Sequence, residues 1–364
     1  MTLIKAAVCH DFGQPLQIQD VALRNAQAGE LGITLEAVAI CHSDISYADG
    51  AWGGSLPAVY GHEAAGRVTQ IGDGVTGINL GDRVVVTLIR SCGTCPTCSS
   101  GKPVICETPY DGDTGPLTMA DGSKLHQAMA CGAFAEKVVV HQSQVVRVAD
   151  TLSPESAALL ACGVITGVGA VVNAAQLRAG QDVVVIGAGG VGLNAIQGAR
   201  IAGARRIIAV DMTQDKLNVA RDFGATDGVL IDDPAVGGKP WRAAKQAMGR
   251  GADAVFVTVG VSAAYDDAPR YLAPAGRVYM VGMPHVGAKS TYEPVMMAAV
   301  GQGMIGTKMG DTVIRRDIPW MVDMYEQGRL KLDELIAKRW RLDQINDAIA
   351  DTKSGVAGRN IIMF

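Results

Sequence analysis

The chain has 364 residues, of which 48% are hydrophobic and 19% charged, and its 45 glycines are spread along the length. This profile indicates a folded α/β protein of about two domains and excludes a disordered or fibrous chain. The net charge of −4 gives no electrostatic footprint for a nucleic acid or an anionic membrane. No apolar run reaches the ~18 residues of a membrane helix, and the start, MTLIKAAVCH, does not resemble a signal peptide. We therefore expect a cytoplasmic protein that binds neither nucleic acid nor membrane.

The predicted elements change character along the chain. Up to about residue 160, β-branched runs such as LGITLEAVAI and DRVVVTLIR are separated by Gly, Pro and Asp and predict short strands. SPESAALLACGVITGVGAVVNAAQL is helical in composition. From DVVVIGAG to GRVYMVGMP, strand-like and helix-like segments alternate, which predicts βαβ units and a parallel sheet. After about residue 305 the alternation stops, and GRNIIMF reads as a strand that returns to the first domain.

The segment SCGTCPTCSSGKPVIC has a C-x2-C-x2-C-x7-C spacing, formed by Cys92, Cys95, Cys98 and Cys106. Clustered cysteines in a reducing compartment bind metal more often than they pair as disulfides. Four thiolates complete the tetrahedral shell of Zn²⁺ and leave no position for substrate. We expect a structural zinc here, with an iron–sulfur cluster as the alternative.

The segment VVVIGAGGVGLNAI contains the G-x-G-x-x-G spacing at Gly187, Gly189 and Gly192, between a predicted strand and a predicted helix. In such a turn the first glycine permits the tight bend, the second lets a pyrophosphate approach, and the third allows close helix–sheet packing. Asp211 closes the next predicted strand, where it would accept hydrogen bonds from a ribose and repel a 2′-phosphate. The motif predicts NAD rather than NADP; an ordinary βα turn is the alternative.

Three isolated residues are candidates for a second, open metal site: Cys41 in CHSD, His62 in VYGHEAAGRV and Cys162 in LLACGVITGVG. Two cysteines and a histidine would leave the fourth zinc position to water or substrate. Sequence spacing does not bring them together. Taken singly, the cysteines also read as small buried hydrophobic residues and His62 as a core histidine.

Taken together, GHEAAGRV, the four-cysteine segment, CGVITGVG and GAGGVG resemble, in order and spacing, the zinc-dependent medium-chain alcohol dehydrogenases. The resemblance covers essentially the whole chain. It implies a GroES-like, β-rich catalytic domain over residues 1–163 with a zinc lobe at about 91–107, a doubly wound Rossmann domain over 164–304, and a segment 305–364 that completes the catalytic domain. It also implies two zinc ions per chain, with Cys41, His62 and Cys162 as the catalytic ligands.

The resemblance assigns chemistry to the residues around these ligands. Ser43 would contact the substrate oxygen and pass its proton on, and Asp44 would orient His62. Glu63 is an alternate ligand or a carboxylate that tunes the field of the metal, or else half of a buried ion pair. Ser46 stands where many family members have a histidine that relays the proton. Serine does not hold a proton near neutral pH, so release would run through the cofactor ribose and water or through His42, with a shallow, alkaline pH optimum.

For the cofactor, the resemblance places His42 and Arg359 on the pyrophosphate, Thr166 and Val281 at the nicotinamide and Lys216 at the adenosine ribose. These join the residues of the glycine turn and the strand after it, Gly187, Gly189, Gly190, Val191, Gly192 and Asp211.

The substrate pocket implied by the resemblance consists of Trp52, Leu88, Ile105 and Ala128. Three apolar side chains and one small residue suit a primary alcohol or aldehyde with an apolar body, such as an aromatic, allylic or medium-chain one. The alternative is a thiol-dependent formaldehyde dehydrogenase, which CHSDISYADG also resembles. A catalytically silent structural relative is a remote alternative, because zinc-free relatives lack the ligands. The family further implies a homodimer or homotetramer formed through sheet edges of the cofactor domains.

Overall fold

The computed structural model describes residues 1–234, 237–355 and 358–364. Two compact units divide the chain. The first consists of Met1–Gly163, Val313–Gly328 and Leu332–Phe364, and the second of Val164–Thr312 and Arg329–Lys331. No helix among the described residues is long and apolar enough to cross a membrane.

The elements follow one another in chain order. The strands are β1 (Thr2–Cys9), β2 (Gln17–Leu23), β3 (Glu30–Ala39), β4 (Ala58–Val59), β5 (Glu63–Ile71), β6 (Arg83–Val86), β7 (Leu117–Met119), β8 (His126–Gln127), β9 (Lys137–His141), β10 (Val145–Arg147), β11 (Asp182–Ile186), β12 (Arg206–Asp211), β13 (Asp227–Leu230), β14 (Ala252–Val257), β15 (Leu272–Met280), β16 (Gly303–Gly306), β17 (Ile336–Arg341) and β18 (Arg359–Met363). The helices are α1 (His42–Ala48), α2 (Pro96–Ser99), α3 (Pro154–Leu159), α4 (Gly163–Gly169), α5 (Gly190–Ile201), α6 (Gln214–Phe223), α7 (Pro240–Met248), α8 (Ser262–Asp267), α9 (Pro294–Ala299), α10 (Ile314–Glu326) and α11 (Ile345–Lys353).

The first unit contains two sheets. One has the strand order β7-β2-β1-β4-β8, and the other β10-β6-β5-β3-β18-β17, with β9 also paired to β3. In the second sheet β3 pairs antiparallel with β5, and the C-terminal strand β18 pairs antiparallel with the end of β3. The buried faces of these strands form one apolar core, in which Leu31, Ile33 and Val84 are fully buried.

The second unit is built on a parallel sheet with the strand order β13-β12-β11-β14-β15-β16. The first strand in sequence, β11, lies inside the sheet, and the order reverses beside it, as in doubly wound dinucleotide-binding folds. Its residues Val183–Val185 are fully buried, as expected for strands covered on both faces. The α/β fold class with a doubly wound parallel sheet is therefore confirmed.

The segment predicted as helical from its composition is broken in the structure. Helix α3 ends at Leu159, and α4 begins at Gly163. Cys162 therefore lies in a turn between two helices rather than within one.

Candidate active site

Strand pairing brings the candidate ligands of the first unit together. Cys41 follows β3 after one residue, His62 directly precedes β5, and Ala39 of β3 pairs with Glu63 of β5. Paired residues on antiparallel strands lie about 5 Å apart. Cys41 and His62, separated by about twenty residues in sequence, therefore meet at one end of the sheet.

The carboxylate of Asp44 fixes both ligand segments. Its Oδ2 accepts the backbone N–H of Cys41 at 3.1 Å, and its Oδ1 accepts the N–H of Gly61 at 2.9 Å. The same Oδ1 lies 2.8 Å from Nδ1 of His62. Asp44 is 1% exposed, so this anionic group is retained in the interior by three hydrogen bonds.

The other imidazole nitrogen of His62 is oriented toward a cluster of donors. With its hydrogen on Nδ1, the ring presents Nε2 as an acceptor. Nε2 is buried and has no hydrogen-bond partner among the described residues. Ligand atoms of Cys41, His62, Glu63 and Cys162 all lie within 4.8 Å of one another, and all four residues are buried.

The pKa values of the two cysteine thiols in this cluster shift in opposite directions. The hydrogen bond from Cys162 lowers the pKa of Cys41 well below its usual value, and the same bond raises the pKa of Cys162. Burial lowers the pKa of His62, but the Asp44 carboxylate and Cys41 outweigh it and raise that pKa well above its usual value. The negative charge of Asp44 and Cys41 thus favours a positive charge at Nε2 of His62, which either a second ring proton or a bound metal cation supplies.

This donor set fits Zn²⁺. Ligand atoms on a tetrahedral zinc are about 3.5–3.8 Å apart, a spacing that the 4.8 Å envelope of the cluster accommodates. Zinc binding would also give Nε2 of His62 the partner that it lacks among the described residues. Two cysteines and one histidine would hold the ion and leave a fourth position open, the arrangement of catalytic rather than structural zinc sites.

Glu63 forms a buried ion pair. Nη2 of Arg359 donates to Oε1 of Glu63 and, at 3.1 Å, to the carbonyl of Ile40. Oε2 of Glu63 has no partner among the described residues. Burial raises the pKa of Glu63 to about 7, although Arg359 opposes the shift. Glu63 is therefore half of a buried ion pair, one of the alternatives predicted for it. Its second oxygen, Oε2, could still bind a metal ion, so the alternative role as a metal ligand stays open.

The four-cysteine segment forms a second cluster. The Sγ atoms of Cys92, Cys95, Cys98 and Cys106 lie within 4.8 Å of one another. Those of Cys95 and Cys106 are 3.9 Å apart, close to the ~3.8 Å between thiolates on a tetrahedral zinc. Backbone N–H groups point at the sulfurs: Cys92 accepts from Thr94 and Cys95 at 3.4 and 3.3 Å. Hydrogen bonds from Thr108, Thr94 and Cys95 lower the pKa of Cys92 to about 5. The cluster fits a closed, structural zinc site.

In the second unit, the glycine turn links β11 to α5. Gly187 has φ +96°, a left-handed conformation that favours glycine. A Cβ on Gly192 would collide with the carbonyl oxygen of Gly187, so this position requires glycine for the helix to approach the strand. A Cβ on Gly189 would meet no atom within 4 Å, so open space lies at the helix N-terminus, where a pyrophosphate fits.

Comparisons with known proteins agree with this geometry. Residues 27–150 match the family model of the alcohol dehydrogenase GroES-like domain, and residues 190–327 match that of zinc-binding dehydrogenases. The chain is 35% identical to the NDMA-dependent alcohol dehydrogenase of Amycolatopsis methanolica, over 99% of this chain and 98% of that protein. The chain belongs to the zinc-dependent medium-chain alcohol dehydrogenase family.

Two further relatives differ in the substrates for which they are named. S-(hydroxymethyl)glutathione dehydrogenase of Paracoccus denitrificans is 32% identical over 99% of each chain. The crystal structure of benzyl alcohol dehydrogenase from Acinetobacter calcoaceticus superposes with a TM-score of 0.92 at 29% identity and covers 100% of both chains. The predicted family and enzyme class are thus confirmed. The cofactors of this alcohol dehydrogenase are NAD and zinc, for which the glycine turn and the two clusters are fitting sites.

The residues predicted to bind the cofactor lie at the following positions in the structure of this dehydrogenase. Gly190 and Val191 open helix α5, and Asp211 ends β12, where its Oδ2 accepts the N–H of Ala188 at 2.7 Å. Lys216 is half-buried on α6, Thr166 is buried on α4, and Val281 follows β15. His42 is exposed at the start of α1, outside the buried cluster.

One segment of the second unit was not predicted from the sequence. Met309, Gly310 and Asp311 all have positive φ, and the hydroxyl of Thr166 lies 3.7 Å from the sulfur of Met309. Gly310 and Asp311 are residue types that adopt a left-handed backbone more readily than most, but one glycine among 45 does not mark a particular loop.

The predicted substrate and proton-transfer residues are spread through the first unit. Ser43 and Ser46 are half-buried on α1. The ring of Trp52 packs edge-on against Tyr47. Leu88 packs against the main core, and Ile105 is 41% exposed in the cysteine lobe. Ala128 lines a cavity together with Tyr47, Tyr60 and Met129, three residues that sequence analysis missed.

Proposed function

We propose that this enzyme oxidises a primary alcohol with an apolar body to the aldehyde, with NAD as the hydride acceptor. The observation that carries the proposal is the buried cluster in which Nε2 of His62 faces two cysteine sulfurs. We further propose that the predicted domains divide the function between them, with catalysis in the first unit and cofactor binding in the second.

The side chains of Cys41, His62 and Cys162 would hold the zinc ion, which when bound would supply a Lewis acid for the substrate oxygen. Asp44 keeps the hydrogen of His62 on Nδ1 and thereby fixes the ring orientation. The hydroxyl of Ser43, two residues after Cys41, would accept the substrate proton. Ser46, one turn further, can pass a proton but does not store one, so we keep the prediction of a shallow, alkaline pH dependence.

The preference for NAD would come from Asp211. Its carboxylate is fixed at the end of β12 by the N–H groups of Ala188 and Met212, both at 2.7 Å. A 2′-phosphate beside this anion is disfavoured by like-charge repulsion. Asp211→Ser should lower the NAD:NADP ratio of kcat/KM at least ~10-fold, whereas Asp215→Ser, at an exposed position of α6, should not change it. An unchanged ratio in Asp211→Ser would contradict this role.

The substrate class is tested by a screen of NAD reduction with primary alcohols. The relative named for benzyl alcohol favours an aromatic body, and the small Ala128 leaves room for one. The second candidate is oxidation of the hydroxymethyl adduct of a carrier thiol, favoured by the relative that acts on S-(hydroxymethyl)glutathione. Activity with formaldehyde only when a thiol is present, and with no free alcohol, would select the second candidate.

Assembly and location are also proposals. The edge strand β16 exposes Ile305 (40%), and the connection between β15 and β16 exposes Met283 (62%), Val286 (74%), Val295 (71%) and Met296 (61%). We propose that copies of the chain pair through this edge as a homodimer or as a homotetramer built from it. None of the eight cysteines forms a disulfide, which supports our proposal of a reducing, cytoplasmic location.

A further inference from the structure

A cavity of about 140 Å³ lies in the first unit beside helix α1. Its wall consists of aromatic, thioether and small residues and of two polar ones, Ser55 and His126. The lining residues are Tyr47, Gly54, Ser55, Tyr60, His126, Ala128 and Met129. Of these, only Ala128 belonged to the predicted substrate pocket.

The size and lining of this cavity suit one six-membered ring. An apolar protein cavity of roughly 150 Å³ is large enough to bind benzene. The rings of Tyr47 and Tyr60 are nearly parallel, at 17°, with centroids 6.2 Å apart, and Trp52 packs edge-on against Tyr47 at 5.1 Å. Aromatic walls bind a flat ring by offset or edge-to-face contacts, and the sulfur of Met129 adds a polarisable surface.

The wall beside Ala128 is held in an unusual backbone conformation. Met129 and Ala130 have φ of 51° and 55°, a region that non-glycine residues seldom occupy. Two buried glutamines hold the segment. Nε2 of Gln144 donates to the carbonyl of Ala130 at 2.9 Å, and Nε2 of Gln127 to that of Cys131 at 3.0 Å. Such conformations persist where surrounding contacts over-determine them, and they concentrate at ligand sites.

Two residues of the cavity wall lie close in sequence to residues of the metal site. Tyr47 lies four residues after Ser43 on α1, so both side chains project from the same face, one turn apart. Tyr60 lies two residues before His62 on the segment that Asp44 fixes. A substrate whose oxygen lies near Ser43 can therefore extend its body along α1 toward Tyr47.

We propose that this cavity is the ring subsite of the enzyme and selects arylmethanols, alcohols whose carbinol carbon is attached directly to one six-membered aromatic ring. The inference rests on the proposed alcohol oxidation and adds the side chains that set its specificity. Ala128 and Met129 set the depth of the subsite, and Tyr47 and Tyr60 form its aromatic wall. Gln127 and Gln144 are positioning residues, because they bind the backbone of the segment between Ala128 and Cys131.

Two substitutions change the subsite in opposite directions. Ala128→Leu fills it and should lower the ratio of kcat/KM for benzyl alcohol to that for ethanol at least ~10-fold. Met129→Gly enlarges it at a position whose left-handed backbone suits glycine, so this variant should fold. It should raise the ratio of kcat/KM for 2-naphthalenemethanol to that for benzyl alcohol by a similar factor. Ala149→Leu, at an exposed position, is the matched control and should leave both ratios unchanged.

Binding of 4-methylbenzyl alcohol to the zinc-loaded protein, detected by saturation-transfer NMR, gives a readout independent of turnover. Ring protons should be saturated by the wild type and Ala149→Leu, and not by Ala128→Leu. If alcohols are oxidised but neither ratio nor ring binding changes in the two cavity variants, the subsite is wrong and the proposed function stands. If no alcohol is oxidised, yet ring binding is lost in Ala128→Leu, the proposed function fails and the subsite stands.

Discussion

At the scale of single residues, Asp44 connects more of the site than any one zinc ligand does. One carboxylate accepts the N–H groups of Cys41 and Gly61 and contacts the ring of His62. It therefore holds together two predicted ligand segments that flank different strands and keeps the hydrogen of the histidine on Nδ1. We expect the metal site to depend on Asp44 although this residue supplies no ligand atom.

Asp44→Asn keeps the size of the side chain but removes its charge. We expect the affinity of the zinc site at His62 to fall by about 10–100-fold, the usual effect of losing a carboxylate behind a metal-binding histidine. Chelator competition on the zinc-loaded protein measures this, with the zinc of the cysteine lobe as an internal reference. Asp49→Asn, a change at a solvent-exposed carboxylate paired with Lys353, is the control. Equal affinities in the two variants would contradict the role of Asp44.

Single residues also mark the limit of sequence reasoning. The glycine spacing and the four cysteines are local patterns and could be predicted. The role of Glu63 could not be decided from the sequence. Its partner Arg359 is 296 residues away and is brought to it by the pairing of β18 with β3.

At the scale of elements, the site is formed where chain segments end. β3 ends just before Cys41, β5 begins just after His62, and Cys162 lies in the break between α3 and α4. Alternating strand and helix patterns made the parallel sheet predictable, since each βαβ unit is local. The helix break was not predicted, although Gly163 directly after Cys162 is a weak helix former. The left-handed wall at Met129 also had no signal, since Met and Ala do not favour that conformation.

The cysteine lobe has little apolar core of its own. Its short helix α2 has no buried residue, and Val104 is buried in the turn that follows, so we expect a zinc ion to stabilise the lobe. Cys95→Ser should remove about one zinc per chain and lower Tm, with alcohol oxidation retained at low temperature. Metal analysis and thermal unfolding measure both effects, and Ser100→Ala in the same lobe is the control. Retention of two zinc ions with an unchanged Tm would rule out a structural zinc in the lobe.

At the scale of the whole molecule, we propose that the two units have separate tasks. The first contains the two candidate zinc clusters and the proposed ring subsite, and the second contains the glycine turn proposed to bind the dinucleotide. The segment between β15 and the edge strand β16 exposes several large apolar side chains, and we propose that this surface pairs with a second copy of the chain.

Val295→Asp places a charge on that exposed surface. If the edge joins two copies, the variant should be monomeric, because an unpaired carboxylate at an apolar interface is costly. Size-exclusion chromatography with light scattering measures the mass of the particle. Val261→Asp, at a position in the same unit that is 56% exposed, is the control. An unchanged assembly in Val295→Asp would exclude this edge as the interface.

The central claim is that Cys41, His62 and Cys162 hold the zinc ion on which alcohol oxidation depends. The most direct measurement compares zinc content and NAD reduction by benzyl alcohol in the wild type and in Cys162→Ala. We predict about two zinc ions per chain in the wild type and about one in the variant, with kcat/KM lowered more than ~100-fold. A variant that keeps both zinc ions, or that loses one and still oxidises the alcohol at the wild-type rate, would contradict the account.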